Sequence, residues 1–179
     1  MKRFLILISL FFFSINIIGN NRLSDLYVMK PLENGHLYFV LPFNIPSITS
    51  KTRSVSVDIT SLTCSDSVTV NMSVWKKTEI ETDSIIFRSD RNFVIHDYQT
   101  FFIEKDEKLW LHRYSIRMLF KDLKYLYSAP KSFRIQVYSK DQLMEYEYTS
   151  RLWSKEGNNI CQVLRIIESN KKLFRRNNK

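Results

Sequence analysis

Glycine is nearly missing from this chain, three in 179 residues, and proline is scarce, with four. So little of either leaves no Gly-rich phosphate-cradling loop and argues against disordered or low-complexity segments. Cysteine occurs only at Cys64 and Cys161, too few for a disulfide-knotted scaffold or a cysteine-rich zinc site. No G-x-S-x-G elbow is present, and His36, His96 and His112 lie too far apart for an H-x-x-x-H metal signature. No sequence pattern calls for a metal or other cofactor.

Acidic residues are absent from the last nine positions, where Lys171, Lys172, Arg175, Arg176 and Lys179 stand. Together with Lys2 and Arg3 they hold most of the formal charge of +9, leaving +2 over the remainder. A nearly balanced body argues against a nucleic-acid-binding face. The terminal cations read as a basic tail over 171–179, suited to peripheral contact with an anionic membrane surface.

What is present begins with a secretory signal over 1–19. Lys2 and Arg3 form its positive start, Phe4 to Ile18 an apolar run broken by Ser9, Ser14 and Asn16, and Gly19 a small residue at the expected cut. The run is short of the roughly 20 residues that span a bilayer, and no cysteine near the cut offers a lipid acceptor. The expectation is export: a periplasmic, envelope-associated or extracellular protein.

From 20 to 170 the pattern is that of one β-rich domain. Glu33-Asn34-Gly35 between two apolar runs signals a hairpin, because Asn and Gly tolerate the positive φ of a tight turn. Pro42 and Pro46 are expected to end that strand or hold it at a sheet edge. Val55, Val57 and Ile59, then Val68, Val70, Met72 and Val74, alternate with polar neighbours, as in strands with one dry face. Ser84 to Phe87 and Phe93 to Ile95 are weaker strands. The most aromatic stretch, Tyr98 to Phe120, carries the charged knot Glu104 to Lys108 and predicts a long central hairpin.

Lys121 to Lys131 predicts a connection with one helical turn over 122–126. Phe133 to Tyr148 predicts a hairpin turning at Ser139 to Gln142, with a helix over 142–153 as the competing reading. A closing helix is expected over about 158–172, capped by Asn158 or Asn159, with Ile160, Val163, Leu164 and Ile167 along one stripe. The fold class is therefore mainly β: an antiparallel sandwich, immunoglobulin-like in outline, closed by a C-terminal helix.

Function is less legible. Trp75 falls on the polar parity of its strand and Trp110 lies at the loop end of the hairpin, so both are candidates to stack on a sugar or anchor a protein. Cys64 and Cys161 invite a disulfide between a strand turn and the closing helix. Asn71-Met72-Ser73 matches a glycosylation acceptor inside a strand. The leading reading is a non-catalytic binding or structural module of a bacterial envelope or exterior, with a protein or glycan partner. The alternative is an exported hydrolase whose site, from carboxylates or from His96 and His112, forms only in the fold; Glu79, Glu81 and Asp83 read as a solvated run.

Overall fold

A computed structural model describes residues 23–49, 53–79, 81–95, 97–128, 133–140 and 142–177. The expected signal segment, His96, Pro130 and Lys179 lie outside them. Ten strands form two antiparallel sheets. β1 (Tyr27–Leu32), β2 (Gly35–Pro46), β3 (Ser54–Leu62), β4 (Ser67–Lys76), β8 (Leu109–Leu119) and β7 (Tyr98–Asp106) lie side by side in that order in the larger sheet. The smaller sheet runs β10 (Gln142–Glu147), β9 (Arg134–Ser139), β5 (Ser84–Arg88) and β6 (Asn92–Ile95).

Strict alternation produces this arrangement. In β4 every second residue from Val68 to Val74 is buried, and its in-register neighbours Val57 and Ile59 on β3 and Tyr114 and Ile116 on β8 are buried with it. Residues directly opposite in an antiparallel pair point to the same side, so these three strands present one continuous apolar face. Ile85, Phe87, Ile135 and Val137 of the smaller sheet join the same apolar cluster. On the other face, Asp58 accepts from Asn71 Nδ2 at 2.6 Å and pairs with Arg113 at 2.6 Å. The Asn71 side chain is thus engaged in a strand-to-strand bond.

Pro42 does not end its strand. β2 continues to Pro46 through a bulge between Val40 and Phe43 that leaves Leu41 and Pro42 out of the β3 register. A bulge suspends the ladder where proline has no N–H to give. β1 pairs only as far as Val40, so the proline-bearing half of β2 has no partner in β1. Past Pro46 the chain reaches the smaller sheet, where Ser47 bridges Tyr146 and Ile48 N donates to Glu145 O.

The hairpin over β9 and β10 forms, rather than the competing helix. The single turn expected after β8 is a helix, α1 (Phe120–Ser128), which buries Phe120, Leu123, Leu126 and Tyr127. The closing helix also starts earlier than its apolar stripe indicates. Thr149 caps a turn at Ser150–Leu152 by accepting from Leu152 N, a wide turn follows at Trp153–Gly157, and α2 (Asn158–Asn177) continues from it. Asn158 has helical dihedrals, so the cap lies at Thr149 and not at Asn158 or Asn159. Ile160, Val163, Leu164 and Ile167 are buried as the stripe predicts.

α2 runs past 172 to Asn177, so Lys171, Lys172, Arg175 and Arg176 are helix residues and not a tail. The expected disulfide is also absent: Cys64 and Cys161 are both free. Lys171 Nζ donates to Leu62 O and Ser65 O, which docks the β3–β4 turn carrying Cys64 near residue 171 of α2. Cys161 sits ten residues back, about 15 Å along the axis at 1.5 Å per residue. That exceeds the roughly 7 Å between Cα atoms that a disulfide tolerates.

Candidate functional site

Trp75 and Trp110 stand near the same end of the larger sheet but on opposite faces. Trp75 pairs with Leu111 and Lys76 with Trp110, so Trp110 shares the side of buried Lys76 and His112 while Trp75 faces out. They do not make one aromatic patch. Lys105 Nζ lies 5.9 Å from the Trp110 ring centre, and Trp110 is partly covered.

Trp75 borders a hollow. With Arg53, Ser54, Asp106, Glu107, Lys108 and Leu109 it lines a cavity of about 390 Å3. Arg53 precedes β3, Trp75 is the last residue but one of β4, and residues 106–109 form the tight turn between β7 and β8. Glu107 in that turn has φ 51°, a left-handed conformation that costs a non-glycine residue about 1 kcal/mol or more. The cavity therefore combines a flat indole and Arg53 with two carboxylates and one cation on a sharply folded turn.

Beneath the same end lies a buried polar cluster that sequence reading did not find. Lys76 is 1% exposed and donates to Ser139 Oγ at 3.2 Å; Ser139 Oγ donates to Glu81 O at 2.6 Å. His112, fully buried, bonds Thr78 O through Nε2 at 3.0 Å. Tyr114 and Thr82 share a hydroxyl bond of 2.7 Å, and Tyr98 donates to Thr82 O. The Lys76 bond ties the end of β4 to the end of β9, and the others tie the β4–β5 connection to β9, β8 or β7.

Burial lowers the Lys76 ammonium to about 8, against the opposing pull of Asp83 and Glu81. Burial also lowers His112, which the Thr78 bond partly offsets. The one warning in the sequence was parity: Lys76 and His112 fall on the inward register of β4 and β8. Of the histidines considered for hydrolysis, His112 is enclosed and bound to main chain; Glu79, Glu81 and Asp83 are exposed on the connection above it, as a solvated run would be. Among the described residues no group of three or more His, Cys, Asp or Glu side chains is placed to hold a metal.

A second hollow, about 440 Å3, opens at the far end of the larger sheet. Asp66, Leu119, Phe120, Lys121, Lys124, Glu168, Lys171, Lys172 and Arg175 line it. From Ser67 to Trp75 along β4 the two ends stand roughly 25 Å apart at ~3.3 Å per residue. Protein-family models, curated proteins and solved structures give no match to this chain.

Proposed function

We propose that the protein is an exported, non-catalytic binding module with an immunoglobulin-like sandwich fold, and that it takes a glycan at the Trp75 cavity. Strand order supports the fold reading. β3-β4-β8-β7 corresponds to strands A-B-E-D of such domains, and β10-β9-β5-β6 to G-F-C-C′. β1 and the first half of β2 then extend the A edge as an extra hairpin. The tryptophan of strand C and the B–F disulfide of antibody domains have no counterpart here, since β5 reads Ser-Ile-Ile-Phe-Arg and neither β4 nor β9 holds a cysteine.

In that correspondence the β4–β5, β7–β8 and β9–β10 connections gather at the end where variable domains carry their binding loops. The observation that carries the functional reading is Trp75 in a polar-rimmed cavity at this end. An indole face offers apolar and CH–π contact to a pyranose, and Arg53, Asp106, Glu107 and Lys108 offer donors and acceptors to its hydroxyls.

The buried cluster supports the reading by holding the neighbouring connections in one shape, which lowers the ordering cost of binding. Export rests on the N-terminal charge and apolar pattern. A glycan array probed with the intact mature protein tests the function: wild type retains a defined saccharide set, and Trp75→Ala loses it by tenfold or more while Trp110→Ala does not. Equal retention by the Trp75 variant, or retention of nothing, would refute it.

A further inference from the structure

We infer that the cavity between α1 and α2 is a separate site for a phosphate monoester. Five cations line it, Lys121, Lys124, Lys171, Lys172 and Arg175, against two carboxylates, Asp66 and Glu168, which leaves three net positive charges. These charged residues come from three parts of the chain. Lys121 and Lys124 belong to α1, Lys171, Lys172 and Arg175 to α2, and Asp66 to the turn before β4.

The carboxylates offset part of this charge and also position the cations. Glu168 Oε1 takes Lys124 at 2.8 Å and Lys172 at 3.3 Å, so one acid positions two ammonium groups. Asp66 pairs with Arg175, and its own main-chain oxygen accepts from Phe120 N at 2.8 Å, which ties the turn to the start of α1. Lys171 is 4% exposed; two carbonyls hold its ammonium 4.9 Å from the Phe120 ring centre. Lys121 has no ion pair among the described residues. The floor is thus a fixed, buried cation and the rim is four more, one of them unpaired.

A compact dianion suits this arrangement. Four of the five cations are lysines, which act as point charges able to surround a phosphate, and Arg175 adds a guanidinium whose fork also fits one. The positive end of α1 adds to the same field. The volume of about 440 Å3 exceeds what a bare phosphate fills and leaves room for the sugar or glycerol that carries it. Two sources share that chemistry, a soluble phosphorylated saccharide and the headgroup of an anionic lipid.

The test uses the whole mature protein and the Lys121→Glu/Lys172→Glu variant, both side chains being at the rim. A Lys121→Gln/Lys172→Gln variant guards against an effect of added negative charge. Titration with glucose 1-phosphate reads the soluble source. Co-sedimentation with phosphatidylcholine vesicles holding phosphatidic acid, compared with vesicles holding phosphatidylserine, reads the lipid source. Saturable binding in either arm, weakened tenfold or more in both variants and unchanged in a Lys77→Glu/Lys140→Glu control, supports the site. Absence of binding in both arms, or equal loss in the control, overturns it. Trp75→Ala should leave these titrations unchanged, so the two sites fail or succeed separately.

Discussion

Parity decided which tryptophan could matter. A single-residue difference in register places Trp75 outside and Trp110 on the side of the core, because side chains alternate faces along a strand. The outward place of Trp75 was legible from its polar neighbours Ser73 and Asn71. The cavity was not, because Arg53 and the 106–109 turn come to Trp75 from elsewhere in the chain. The buried Lys76 was hidden for a related reason: as the last residue of its strand it reads as a solvated end, whereas Ser139 at the end of β9 meets its ammonium from elsewhere in the chain.

Lys76 has a measurable signature. Its folded value of about 8 lies below the 10.5 of a free lysine, so between those values the unfolded chain binds the proton and the folded one does not. Stability from this group therefore rises with pH across that window. Tyr114 and Tyr146, raised by burial to about 12, act oppositely: above about 10 the unfolded state loses their protons first, and stability falls. Thermal midpoints of wild type should gain a few degrees on those of Lys76→Met between pH 8 and 10. A constant difference across that range would contradict the burial of a titrating lysine.

At the scale of elements, the start of the closing helix is the instructive miss. Its apolar stripe begins at Ile160, but the chain turns helical ten residues earlier because Trp153 needs to reach the core. Its indole lies 5.8 Å from Tyr127 and 5.4 Å from Tyr148 between ring centres. Gly157 makes room: a Cβ there would stand 2.5 Å from the indole ring. In an exposed helix Gly→Ala gains about 1 kcal/mol. Here the contact reverses the sign, and Gly157→Ala should cost about 1–3 kcal/mol in denaturant unfolding. A stabilised variant would show that the indole is not seated on that glycine. The bulge at Pro42 teaches the same lesson, since a proline bars a ladder bond and not a strand.

Across the whole molecule, the sequence carried strand periodicity but not long-range register. The apolar alternation of β3, β4 and β8 required a two-faced sheet, and nothing in it could say where α2 would lie against the β3–β4 turn. That placement separates the cysteines and turns three supposed tail cations, Lys171, Lys172 and Arg175, into the wall of a cavity. Mass spectrometry of unreduced, alkylated protein should therefore find two free thiols, with exposed Cys64 modified before Cys161. A Cys64–Cys161 peptide would contradict the docking of α2.

The same placement puts the two hollows at opposite ends of the larger sheet, with the rigid core between them. On the proposed readings one end takes a hydroxyl-rich saccharide and the other a phosphate monoester, each on a different set of connections.

The most direct measurement is an NMR titration that follows the three tryptophan indole N–H signals as the best saccharide from the array is added. The account predicts a saturable shift of the Trp75 signal, with Trp110 and Trp153 nearly still. Movement of Trp110 or Trp153 in its place, or an unmoved Trp75, would contradict it.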